Sequence, residues 1–277
     1  MISALQKLDD GTIKLTITIP NAQVKKTWDE VVGELVKSSK LAGFRKGKAP
    51  KKLIEEKLDK PEVQEEVLKK LLPSAYLEAI KQHNLKPIIN PKIHVQKIAA
   101  EADWIFEALT CEAPEIKLNG YKEAIQKITA KSKIIIPGKD LKEREVKFEE
   151  IVGALLESVN VKIPKILIDN EVERLLSQLL DDIKKLGLTL DQYLASTERT
   201  AQTLRAEYEK KAENDIKLEF ALQKIAEEEK ITVDEKEIEE AIQKAKTDEE
   251  KKHLSANRYL LASIIRQQKT LDFLKNL

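Results

Sequence analysis

The chain opens with a strand-like alternation. Along Thr12–Ile19 (TIKLTITI), isoleucine and leucine alternate with threonine and lysine, the period of two of a half-buried strand, and Pro20 stops it. Asp10-Gly11 just before is a hairpin turn signal, so residues 2–8 are expected to pair with this strand. The period then changes. Val24, Trp28, Val31, Val32 and Leu35 recur at helical spacing behind Asn21, a good N-cap, and predict a helix to about Ser39. After a loop over 40–50, residues 51–58 and 63–82 read as helices separated by Pro61. Two further strands, 93–98 and 104–109, follow Pro87 and Pro91.

The texture shifts after Cys111. Ala113-Pro114-Glu115 and Pro137-Gly138 flank a partly extended stretch with few strong signals. From Asp140 onward the pattern is almost all helical. Leu141, Phe148, Ile151, Leu155 and Val159 form one apolar stripe; Ile168, Val172, Leu175, Leu176, Leu179, Ile183 and Leu186 form another. Residues 197–229 read as one long helix, broken from the next by Ile231-Thr232-Val233. A helix from Asp234 to about Lys246 and an apolar final helix over 259–274 complete the chain. No fixed-period repeat or sustained heptad is present, which disfavours a solenoid or a long coiled coil. The expected fold class is α+β: an N-terminal α+β domain (1–112), a linker (113–139) and an elongated all-helical domain (140–277).

Composition narrows the function classes. The chain has 277 residues, with 49 Lys+Arg against 48 Asp+Glu, so no global field draws it to nucleic acid or lipid and any basic site must be local. Charged residues make up 35%, above the roughly 25% of average proteins, which suits helices with solvated faces; 42% hydrophobic content excludes wholesale disorder. The single cysteine, Cys111, rules out a disulfide scaffold or a cysteine-based zinc cluster and suits a reducing compartment. No signal-peptide core precedes Asp9 and Asp10, and the apolar run 260–265 is far short of a membrane helix and contains Ser263. A cytoplasmic protein without membrane contact is expected.

Catalytic chemistry is poorly served. His83, His94 and His253 are scattered, in no metal-binding frame, and Cys111 at a strand end reads as a packed small hydrophobe. The glycines form no GxGxxG. Residues 43–48 miss the phosphate-binding P-loop, with one residue too few between glycines and Ala49 in place of Ser/Thr. No catalytic residue, metal or cofactor is expected.

The loop Gly43-Phe44-Arg45-Lys46-Gly47-Lys48-Ala49-Pro50 is different. Five of the eight residues from Arg45 to Lys52 are basic in an otherwise neutral chain, and an aromatic stands where a loop favours a polar residue. Arg45 can fork onto phosphate or carboxylate, and Phe44 can stack or fill a pocket, a combination suited to a mixed RNA and protein surface. The alternative is a solvated basic turn with Phe44 folded back onto the helices.

The loop resembles the ribosome-docking signature of bacterial trigger factors, with Gly43, Phe44, Arg45, Lys46, Gly47 and Pro50 in the motif's order. The resemblance extends to the TIKLTITIP strand, to the helices over 63–85, and to Val161-Lys162-Ile163-Pro164 followed by Leu167-Ile168-Asp169-Asn170-Glu171 at the entry to the family's helical domain. It implies a ribosome-associated, ATP-independent chaperone. The ribosome-binding residues would be Gly43, Phe44, Arg45, Lys46, Gly47, Lys48 and Pro50, docking on the large subunit near the exit tunnel, on ribosomal protein and ribosomal RNA. Nascent or unfolded polypeptides would be held by the helical half, and a weak homodimer is compatible with it. One departure matters: family members usually carry an FKBP-type prolyl isomerase between the halves, where this chain has only the 27 residues 113–139, short of the roughly 50 a domain needs. A non-enzyme is therefore expected.

Client-binding candidates come from helices apolar on several sides: Leu218, Phe220 and Leu222, and Tyr259, Leu261 and Ile264. The same residues would equally serve a closed bundle core. Three rival readings are a prolyl isomerase with a degenerate centre, a SurA-type export chaperone, and a helical adaptor with one fixed partner. The missing middle domain speaks against the first and the missing signal peptide against the second.

Overall fold

Alternation builds the sheet as the pattern predicts. The computed structural model describes residues 2–38, 60–99, 101–132, 148–245 and 247–277. Strands β1 (Ile2–Lys7), β2 (Thr12–Ile19), β3 (Lys92–Lys97) and β4 (Trp104–Cys111) form an antiparallel sheet in the order β1-β2-β4-β3. The β1–β2 hairpin turns at Gly11, whose φ of +88° lies in the left-handed region; its N–H donates to the Leu8 carbonyl at 3.0 Å. One face of β2 and β4 carries Ile13, Leu15, Ile17, Ile19, Trp104, Phe106 and Ala108, all buried. Helices α1 (Asn21–Ser38) and α2 (Lys60–Gln82) supply the rest of this core through Val24, Val31, Val32, Val63, Val67 and Leu71.

The strands differ slightly from expectation. β3 begins one residue earlier, and its register shifts between Val95 and Lys97. β4 runs two residues further because Thr110 and Cys111, both fully buried, pair with Ile13 and Thr12. The helix expected from Val63 starts at Lys60 instead, with Pro61 in its first turn, where a missing N–H has no intrahelical partner to lose. α2 also runs through Pro73, and the Ser74 hydroxyl donates to the Leu71 carbonyl at 2.9 Å beside the interrupted ladder. The helix expected over 51–58 lies outside the described residues.

The chain divides into two compact units. Unit 1 is Met1–Ala113 with Pro164–Leu167; unit 2 is Pro114–Ile163 with Ile168–Leu277. The remaining elements are β5 (Ile116–Leu118), α3 (Tyr121–Ser132), α4 (Phe148–Ser158), β6 (Val159–Val161), α5 (Lys165–Lys185), α6 (Leu190–Ser196), α7 (Ala201–Glu228), α8 (Glu235–Gln243), α9 (Asp248–Ala256) and α10 (Arg258–Lys275). Tyr121, Ile125, Ile151, Leu155, Val159, Leu222, Ile225 and Leu274 form the main core of unit 2. Smaller clusters join α5 to α7 through Val172, Leu175 and Ala212, and α8 to α10 through Ile238, Ile242 and Leu261.

Several expectations for this half need correction. The stretch 113–139, expected as a linker, holds β5 and α3 in its described part, and Tyr121 and Ile125 are core residues. Val159 continues a strand rather than a helical stripe, because β6 pairs antiparallel with β5. Phe148 and Leu186, both placed on apolar stripes, are 48% and 73% exposed; Leu141 lies outside the described residues. The helix expected over 197–229 starts at Ala201. Glu198 has a φ of +53°, and Thr200 caps α7 by accepting the Thr203 N–H at 3.1 Å. Thr189 and Thr247 cap α6 and α9 in the same way, short helices that periodicity over a long window passes over.

Candidate docking and client-binding surfaces

The candidate docking residues lie in sequence between two helices that pack against the sheet core. α1 turns Val24, Val31 and Val32 inward, with Trp28, Leu35 and Val36 packed against the same core; α2 does likewise with Val63, Val67, Leu71, Ala75 and Ala79. Lys70 of α2 pairs with Glu34 of α1 at 2.6 Å, and Lys69 with Glu65 and Glu66 at 2.9 Å each. These surface pairs add little stability; Lys70–Glu34 joins the two helices, and the Lys69 pairs lie within α2. Gly43, Phe44, Arg45, Lys46, Gly47, Lys48 and Pro50 all fall within 39–59, between the two helices in sequence and outside the described residues.

The hairpin between β1 and β2 is tied down by Asp10. Its carboxylate accepts the Thr12 N–H (3.0 Å), the Thr12 hydroxyl (2.7 Å) and the N–H of Lys165, in the first turn of α5 (3.0 Å). Burial pushes this carboxyl up, but the hydrogen bonds outweigh it and hold it below the usual carboxylate value. A Cβ on Gly11 would meet Pro164 Cγ at 3.3 Å. Thus the motif Val161-Lys162-Ile163-Pro164 brings Pro164 and Lys165 onto this hairpin within unit 1. Cys111 is fully buried, and burial pushes its thiol up to about 11, so it is an inert packing residue at neutral pH.

The six client-binding candidates separate by burial. Leu222 and Leu261 are 3% and 9% exposed and belong to core clusters, and Leu218 packs against the main core of unit 2. α7 is apolar on several sides because β5, β6, α4 and α10 surround it. Phe220 is half-buried. Tyr259 and Ile264, by contrast, are 91% and 54% exposed, and Leu260 beside them is 59% exposed. This stretch of α10 holds no charged residue from Tyr259 to Ile265 in a chain that is one-third charged. The neighbouring Arg258 is engaged by Glu235 and Glu239 of α8.

A second apolar surface escaped the sequence reading. Leu180, Leu186, Leu188 and Leu190 are all exposed around the α5–α6 turn, where Gly187 has a φ of +72°. The signal was Leu186-Gly187-Leu188: apolar residues on both sides of a helix-ending glycine cannot all face one stripe. Among the described residues no group of three His, Cys, Asp or Glu side chains could hold a metal ion, and no helix is long and apolar enough to cross a membrane.

Comparison with known proteins matches both halves. The family model described as "Bacterial trigger factor protein (TF)" covers residues 1–144, and "Bacterial trigger factor protein (TF) C-terminus" covers 138–276. The trigger factors of Staphylococcus aureus strains JH9 and Newman are each 35% identical over 122 residues, taking in 44% of this chain and 28% of the relative. The chain thus spans little over a quarter of the curated relatives it matches. A solved structure described as "Promiscuous Substrate Recognition in Folding and Assembly Activities of the Trigger Factor Chaperone" aligns over 100% of this chain and 99% of its own, with a TM-score of 0.68 and 16% identity, a likeness of fold. The two family models between them take in residues 1–276: the chain belongs to the bacterial trigger factor family.

Proposed function

We propose that this protein is a ribosome-associated, ATP-independent chaperone that holds nascent or unfolded polypeptides near the exit tunnel. The observation that carries the reading is family membership through both halves, joined to the loop Gly43-Phe44-Arg45-Lys46-Gly47-Lys48-Ala49-Pro50 between α1 and α2. Phe44, Arg45 and Lys46 would make the docking contacts: guanidinium and ammonium to phosphate or carboxylate, the ring to a pocket or a base. Clients would meet exposed apolar residues of unit 2, Tyr259, Leu260 and Ile264 foremost, by weak contacts that need no nucleotide to release.

Co-sedimentation with ribosomes tests the docking. Phe44→Ala combined with Arg45→Ala and Lys46→Ala is expected to abolish pelleting with ribosomes while helicity and thermal midpoint stay near wild type. Wild-type binding should weaken as salt rises, because cationic contacts to RNA displace counterions. A triple variant that still pellets at the wild-type level would show that the loop is not the docking element.

A further inference from the structure

Between β5 and α3 lies the one Asn-Gly dipeptide of the chain, Asn119-Gly120. Both residues are exposed, and Gly120 has a φ of +63°. The main chain is held on either side: the Asn119 N–H donates to the Ser158 carbonyl at 3.2 Å, and the Gly120 carbonyl accepts from Ala124 at 3.1 Å. Among the described residues, however, neither the Asn119 side-chain amide nor the Gly120 N–H has a hydrogen-bond partner. A Cβ on Gly120 would have Glu123 Oε2, at 3.9 Å, as its nearest neighbour, so the space beside the glycine is open.

We propose that Asn119 is a site of spontaneous deamidation that converts the folded protein to an aspartyl and an isoaspartyl form. Asparagine is among the thermolabile side chains. Glycine, without a Cβ, leaves its amide nitrogen unshielded and free to turn toward the preceding side chain. Base removes the Gly120 N–H proton, and the nitrogen attacks Asn119 Cγ. The new C–N bond closes a five-membered imide, the bond from Cγ to the side-chain nitrogen breaks, and that nitrogen takes up a proton and leaves as ammonia. Water then opens the imide at one of its two carbonyls, giving aspartate or isoaspartate. The balance is one water consumed and one ammonia released, with no oxidant or reductant.

Asp10-Gly11 provides an internal contrast. Aspartate before glycine can close the same imide, but the Gly11 N–H donates to the Leu8 carbonyl, and the Asp10 carboxylate is occupied by Thr12 and Lys165. The nucleophile and the electrophile are both engaged there, and neither is at Asn119.

The two products differ in consequence. Aspartate leaves the main chain unchanged and puts a negative charge just before the N-terminus of α3, which favours the helix. Isoaspartate routes the main chain through the side-chain methylene and inserts one carbon between two fixed points. On one side Leu118 pairs with Val159; on the other the Tyr121 hydroxyl donates to Glu229 at 3.1 Å and Ile125 is fully buried. The added atom must break the Asn119–Ser158 hydrogen bond or displace the first turn of α3, so the isoaspartyl form has a weakened unit 2.

The full-length protein, aged in mildly alkaline buffer with and without urea, tests this by peptide mapping with mass spectrometry and enzymatic isoaspartate labelling. The expected result is conversion at Asn119 under native conditions, faster than at any other asparagine, with no isomerisation at Asp10. Conversion only in urea, or equal rates across the asparagines, would overturn the site. The aged isoaspartyl fraction should melt below unaged protein while Asn119→Asp melts with it; coincident melting of all three would overturn the structural consequence.

Discussion

Asp10 illustrates how one side chain organises several backbone segments. It serves the hairpin through Thr12 and the first turn of α5 through Lys165, three hydrogen bonds on one carboxylate. Burial raises its pKa and these bonds lower it further than burial raises it, so the folded value lies below the ordinary 3.8. A depressed carboxyl gives stability that is fully present above the unfolded-state value and fades as pH falls through the lower folded one. Asp10→Asn is therefore expected to lower the thermal midpoint at neutral pH, with the gap to wild type closing as the pH drops below 3.8. Thermal unfolding across a pH series checks this, and a gap that stays constant into the acid range would contradict it. Cys111, with its thiol raised to about 11 by burial, has no comparable influence near neutrality.

At the scale of elements, what the sequence made legible follows from how local each signal is. β2 was readable because its alternation, its turn glycine and its closing proline all lie within ten residues. α10 was readable from apolar content and α8 from the Asp234 cap. α6 and α9 were missed because seven and nine residues give a period too little length, although Thr189 with Gln192 and Thr247 with Glu250 are capping pairs visible in the letters. β5 and β6 were hidden for another reason: each has three residues, and their pairing joins positions some forty residues apart, which no window sees. Burial of the client candidates was illegible in the same way, since whether Leu222 or Tyr259 faces the core depends on which helices surround it. The stretch between the halves bears on enzymology. Its strand pairs with β6, its helix buries Tyr121 and Ile125, and the two trigger factor models that match the chain overlap at 138–144. A refolding assay limited by X-Pro isomerisation, uncatalysed over tens to hundreds of seconds, is expected to show no acceleration at catalytic protein concentrations. Acceleration would mean that an active centre is built from other residues.

For the molecule as a whole, the chaperone proposal raises the question of where clients would be held, and fragment exchange is a poor instrument for it. Pro164–Leu167 belongs to unit 1, so cutting the chain near residue 113 removes part of that unit along with unit 2. Substitution in the full chain separates surface from core more cleanly. Tyr259, Leu260 and Ile264 expose apolar area without a charged residue among them, whereas Leu222 is 3% exposed in the main core of unit 2. Exchanging the three exposed residues for serine removes surface and little packing, and each change should alter stability by no more than about 0.5 kcal/mol. Leu222→Ala should cost about 2–5 kcal/mol through the lost burial and the cavity left behind. If α10 is the client surface, the triple-serine protein keeps its melting curve and loses suppression of aggregation of an unfolded client. Leu222→Ala should show the reverse: a lower melting point, with full suppression at temperatures where it remains folded. Light scattering of a chemically denatured client on dilution reads both. A triple-serine variant that suppresses aggregation as well as wild type would move the client surface away from α10, with the exposed leucines at 180, 186, 188 and 190 next to be changed.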